Sequence, residues 1–88
     1  MADRQLHILY FAWVREKIGL SEEWIPAPTP DVRIMDLVAL LTARSNGHAE
    51  AFADHHRIRA AVDQVFVPLD TPLGDARELA LFPPVTGG

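Results

Sequence analysis

The chain has 88 residues, 12 acidic against 8 basic side chains, a formal charge of −4 and no cysteine. This length makes one small domain, and the missing thiols exclude disulfides, thiolate nucleophiles and cysteine metal sites. An acidic balance without a dense basic patch argues against nucleic acid and anionic membrane as partners. No apolar run approaches the roughly 20 residues of a membrane span. The start, Met-Ala-Asp-Arg-Gln, carries no apolar signal region, so the expected location is cytoplasmic.

The first element is "QLHILYFAW", rich in aromatic and β-branched residues and free of breakers. Its alternation puts Leu6, Ile8, Tyr10 and Ala12 on one face and His7, Leu9, Phe11 and Trp13 on the other, the pattern of a central strand. "VREKIG" predicts a short helical turn stopped at Gly19. "SEEWIPAP" predicts a second strand, ended by Pro26 and Pro28 and paired with the first as a hairpin. "IMDLVALLTARSNG" is the clearest helix, with Ile34, Leu37, Val38 and Leu41 at helical spacing and Asn46-Gly47 as its stop. "HAEAFADHH" predicts a shorter helix. "RIRAAVDQVFVPLD" predicts two short strands around a turn at Asp63-Gln64, with Arg57 and Arg59 as an alternating strand edge. "ELALF" is the last strand, and Pro83 and Pro84 end it.

This order predicts an α+β fold, a β-grasp (ubiquitin-like) roll with a mixed sheet of four to five strands and one main helix on one face. Residues 1–82 form the domain and 83–88 an extended Gly-Gly tail. Ile34, Leu37 and Leu41 are expected on the side of Ile8, Val65, Val67 and Leu81. Phe11, Phe66 and Phe82 then cluster on the uncovered side, where apolar exposure calls for a partner.

The tail, "FPPVTGG", has no side chain on its last two residues and fits a tunnel that excludes any Cβ. Its carboxylate is inert until activated. ATP-dependent adenylation would make it a mixed anhydride, open to a sulfur donor or an amine. The five glycines are scattered and form no phosphate-binding loop, so activation belongs to a partner.

"FPPVTGG" at residues 82–88, "LYFAWVRE" at 9–16, "AAVDQ" at 60–64 and "PLGD" at 72–75 resemble the molybdopterin synthase small subunit, over nearly the whole chain. The resemblance implies a sulfur carrier of molybdenum cofactor biosynthesis with no bound cofactor. Gly88 would be adenylated by a ubiquitin-activating-like adenylyltransferase that uses ATP, then thiocarboxylated through a sulfur donor protein, with Gly87 its slender neighbour. The tail, Pro83, Pro84, Val85 and Thr86 included, would insert into the synthase large subunit within a heterotetramer. There it would deliver sulfur to cyclic pyranopterin monophosphate to form the dithiolene. Phe11, Phe66 and Phe82 fall at the family's apolar docking positions, and Arg15 at a frequent arginine near them. Two departures stand out: Asp63 replaces a common asparagine, and "DARE" at 75–78 replaces a common "DGDE", so that Ala76 lacks glycine's freedom at positive φ.

The remaining polar residues read as structural. His48, His55 and His56 are expected as solvated helix histidines rather than metal ligands, Glu22-Glu23 as solvated edge charge, Met35 as core or boundary filling. Trp13 and Trp24 are expected to face each other across the first hairpin. Other functions compatible with the sequence are a sulfur carrier for thiamine or tRNA thiolation and a non-covalent interaction module. No catalytic constellation converges, so the chain reads as the donor subunit of a sulfurtransferase complex and not an enzyme by itself.

Overall fold

A computed structural model describes residues 4–84. Nine short elements follow one another. They are β1 (Gln5–Tyr10), α1 (Ala12–Ile18), β2 (Glu22–Pro26), α2 (Ile34–Thr42), α3 (Asn46–Ala51), a 3-10 turn (His55–Arg57), β3 (Arg59–Val62), β4 (Val65–Val67) and β5 (Glu78–Phe82). The strands form one five-stranded sheet in the order β2-β1-β5-β3-β4. Only the central pair, β1 and β5, is parallel. This is the mixed sheet with a helical layer on one side that the element order predicts.

The first strand ends at Tyr10, three residues before the end of the expected run at Trp13. Ala12 and Trp13 belong to α1, because the chain turns at Ala12, where φ is +54°. Phe11 stands before the helix in extended conformation, and its N–H donates to the carbonyl of Leu81 at 3.2 Å. α1 stops at Gly19, whose left-handed φ of 86° lets its N–H reach the Arg15 carbonyl at 2.8 Å.

α2 presents Ile34, Leu37, Val38 and Leu41 to the core. Its start is held by the Asp36 carboxylate, which accepts from the Arg33 N–H at 3.2 Å. The helix ends at Thr42, before Asn46-Gly47, and that pair opens α3 instead. Ser45 is the reason: its hydroxyl accepts from the His48 N–H at 3.1 Å and caps a new helix. Gly47 is needed there because a Cβ would collide with the carbonyl of Lys17, where α3 crosses the end of α1.

The core lies between the helices and one face of the sheet. Leu6, Ile8, Tyr10, Leu79 and Leu81 from the central strands meet α2, and Val14 and Phe52 close the ends. Val67 packs against this core as expected. Val65 shares its side of the sheet but is 62% exposed, because β4 is the outer strand. The β3–β4 turn carries positive φ at Asp63 (+48°) and Gln64 (+72°), the hairpin geometry that asparagine and aspartate tolerate. Asp63 Oδ1 also accepts from the N–H groups of Arg77 and Glu78, both at 3.0 Å, and fixes the start of β5. Ala76 does not occupy a positive-φ position; glycine's freedom is taken up at Gly74, with φ +61°. The Ala76 methyl is buried in the core instead.

Candidate functional site

Residues directly opposed in a ladder share a face, and the register assembles the open one. Leu9 opposes Ala80, Ala80 opposes Ala61, and Ala61 opposes Phe66. Phe82 lies two residues beyond Ala80 on the same face. Its ring meets Phe66 with centroids 5.3 Å apart. The small buried side chains of Ala61 and Ala80 make a floor, and Leu9, Phe11, Phe66 and Phe82 stand around it as the walls of a shallow apolar hollow. Among the described residues no helix covers this side. Phe66 is 74% exposed and Phe11 44%. The expected cluster of Phe11, Phe66 and Phe82 therefore exists as one surface.

Pro83 and Pro84 follow β5 directly and are half-buried. They leave the sheet beside Phe82, at the rim of the hollow. Arg15 sits one helical turn after Phe11, exposed on α1. Val85, Thr86, Gly87 and Gly88 lie outside the described residues.

Behind the sheet stands a polar group that the sequence did not advertise. Glu23 is not a solvated edge charge, since its side chain is 8% exposed. Its Oε2 accepts from the Tyr10 hydroxyl at 2.8 Å and from His48 Nε2 at 2.5 Å, and its Oε1 pairs with Arg44 at 3.1 Å. His48, expected in solvent, is buried, with Nδ1 against the Ser45 hydroxyl at 2.7 Å. Burial and the bond to Glu23 push the Tyr10 phenol well above its ordinary range. For Glu23, desolvation works against the charge, but the bonds from His48 and Tyr10 and the nearby His48 and Arg44 outweigh it and hold the carboxyl below its usual value. This network joins β1, β2 and α3 but faces away from the hollow. Ser45 three residues before His48 was the only local hint of it.

The tryptophans do not face each other. Trp24 stacks on His7 with centroids 4.0 Å apart and 3° between planes, whereas Trp13 lies under the Arg57 guanidinium at 5.1 Å. Arg57 belongs to the 3-10 turn and only Arg59 to a strand. His55 and His56 are exposed, as expected, whereas Met35, expected as core or boundary filling, is exposed on α2. Among the described residues no helix is long and apolar enough to cross a membrane.

A helix-backed mixed sheet with a bare apolar face is the architecture of ubiquitin-like β-grasp proteins, and solved structures agree. The crystal structure of H. volcanii small archaeal modifier protein 1 superimposes with a TM-score of 0.70, covering 93% of this chain and 99% of that one at 21% identity, a likeness of fold. The chain belongs to the ThiS family, whose model matches residues 8–88. A curated relative, the molybdopterin synthase sulfur carrier subunit of Escherichia coli, is 41% identical over 83 residues, spanning 94% of this chain and 99% of the relative. The complex of subunits 1 and 2 of the molybdopterin-converting factor from Helicobacter pylori contains a chain matching 96% of this one, with 99% of its own length covered, a TM-score of 0.62 and 25% identity.

Proposed function

We propose that this chain is the sulfur carrier subunit of a molybdopterin synthase, and that Gly88 carries the sulfur as a thiocarboxylate. The observation that carries the reading is the apolar hollow at the root of the tail. Phe11, Phe66 and Phe82 stand exposed where Pro83-Pro84 leave the sheet. A partner seated on that hollow receives the tail at a fixed point. Six residues, 83–88, can then reach at most about 20 Å into it.

The division of labour follows. The adenylating partner uses ATP to turn the Gly88 carboxylate into a mixed anhydride, and a sulfur donor protein replaces the adenylate with sulfur. This chain binds no cofactor itself. Its part is presentation: Gly87 and Gly88 pass where a Cβ would not, Val85 and Thr86 span the channel, and the prolines restrict the exit. The large synthase subunit then takes the sulfur for the dithiolene of molybdopterin. The family match that runs through residue 88 and the curated relative in Escherichia coli support this reading.

Intact mass spectrometry tests it. Incubation with the adenylating partner, ATP and a sulfur donor is expected to raise the mass by the difference between sulfur and oxygen, located in the C-terminal peptide. Deleting Gly88 is expected to abolish the change while the melting temperature holds. An unchanged mass in a reaction that thiocarboxylates an authentic carrier overturns the assignment.

A further inference from the structure

The apolar hollow has a charged side. Arg59 stands opposite Phe82 in the β3–β5 register, so it shares the open face and borders the root of the tail. Arg59, Phe66 and Phe82 line one depression. The Arg59 guanidinium is anchored rather than loose: Nη1 donates to the carbonyls of His56 at 3.1 Å and Ile58 at 3.0 Å. That leaves most of its five N–H donors unspent. Close by in sequence, Arg57 is laid over the Trp13 ring, and Trp13 comes two residues after Phe11 in the chain. Among the described residues the ion pairs are made by His7, Arg44 and His48. Arg57 and Arg59 are held by carbonyls and a ring instead.

In a chain of net charge −4, these two guanidiniums, pre-positioned on neutral partners, stand two residues apart, with Arg59 at the edge of the hollow. We infer that Arg57 and Arg59 form a cationic clamp at the tail root that pairs with carboxylates on the protein receiving the tail. The clamp rests on the sulfur-carrier reading for its occupant and adds the partner's chemistry: acidic side chains at the rim of its binding surface, next to an apolar centre. Three features favour this occupant. Arg59 is continuous with the hollow. Planar guanidiniums offer bidentate geometry to carboxylates. Charges at the rim of an apolar patch act by steering encounter and fixing orientation, which suits a partner that must accept the tail in one direction. Arginine also suits the chemistry nearby. A guanidinium stays protonated and takes no acyl group from an activated carboxyl, as a lysine amine would.

Stopped-flow association with the cognate synthase large subunit, at low and high salt, tests the clamp. Arg59→Met is expected to slow association about threefold or more at low salt, and Arg57→Met with Arg59→Met further. Both differences should shrink as salt screens the pair. Thermal melting of each variant checks that the fold stands. Equal rates and equal salt dependence for wild type and the double variant overturn the clamp, as does a loss that salt leaves unchanged. So does normal association with the large subunit alongside lost binding of a single-stranded oligonucleotide probe, which would make the arginines a polyanion patch. Phe82→Ala separates the two ideas. If it binds weakly while Arg59→Met binds normally, only the clamp fails. If Phe82→Ala also binds like wild type, the docking face itself is wrong.

Discussion

The two faces of the sheet use the same strands for opposite ends. On the covered face Leu6, Ile8, Tyr10, Leu79 and Leu81 are buried almost completely against α2, and even the polar groups there are satisfied, with Glu23 holding Tyr10 and His48. On the open face Phe66 and Phe11 stand in solvent. Alternate residues of one strand thus line a buried face and an exposed one, because the side-chain period of a strand is two. A small domain that must both fold and dock can divide its scarce apolar surface this way. An exposed phenylalanine here is not a packing fault, since the core is complete without it.

The largest effect is expected from cutting one large side chain from each face. Leu41→Ala empties a site in the core and is expected to destabilise the chain by about 2–5 kcal/mol. That is a large share of the roughly 5–15 kcal/mol of a typical domain. Phe66→Ala is expected to change stability by about 0.5 kcal/mol yet weaken binding of the large synthase subunit about tenfold, or about 1.4 kcal/mol. Urea denaturation and calorimetric titration measure the two quantities. Comparable destabilisation by both variants would show that Phe66 belongs to the core after all.

A smaller effect probes the polar part of the covered face. Glu23→Gln keeps the shape but removes the charge that His48 and Arg44 face, and is expected to cost about 2–4 kcal/mol near neutral pH. The pH dependence follows from the sign of the shift. The folded carboxyl is held below its usual value, so its contribution is complete above the unfolded pKa, about 4.3. It is lost as pH falls through the depressed folded pKa. The stability gap between wild type and variant should therefore close under acid conditions, as pH falls below about 4.3 and on through the depressed folded pKa. Denaturant titrations at several acid pH values check this, and a gap that persists undiminished in strong acid contradicts the arrangement.

How much of this could be read beforehand differs between the faces for the same reason. Strand periodicity displayed the open face: Phe66 opposite Val65 and Val67, Phe82 opposite Leu81, with one helix too few to cover both sides. The Asp63-Gln64 turn was legible from its own residues, because positive φ has local chemistry. The Glu23–His48 pair was not legible. The two are joined by a bond spanning 25 positions, and nothing local to a glutamate beside Glu22 says that it turns inward. The end of α2 is hidden for a related reason: Asn46-Gly47 is a good stop signal, but Ser45 makes a better start, and both signals occupy the same few residues. The end of β1 is hidden because Phe11, Ala12 and Trp13 continue its alternation, while the break between strand and helix lies in a backbone angle that composition does not record.

That break is where the two faces meet, and it supports the mildest test. Tyr10 points into the covered network and Phe11 stands out beside the tail root. Ala12, with φ at +54°, then turns the chain from strand to α1. A left-handed conformation costs a residue with a Cβ about 1 kcal/mol, and glycine escapes most of that cost. Ala12→Gly is therefore expected to stabilise the fold by about 0.5–1 kcal/mol. For a domain of this size that is a rise of a few degrees in melting temperature, at about 4–8 °C per kcal/mol. The side chain is exposed, so little packing is lost to confuse the result. The partner provides the second readout. If Ala12 serves only to hold the turn, affinity for the large subunit should match wild type, because Phe11 keeps its place through the bond to Leu81. Should the more stable variant bind less well, the alanine is there to stiffen the junction that aims Phe11, and the strain belongs to docking rather than to folding. A lower melting temperature would mean that Ala12 does not hold a left-handed angle, and the turn between the two faces is made some other way.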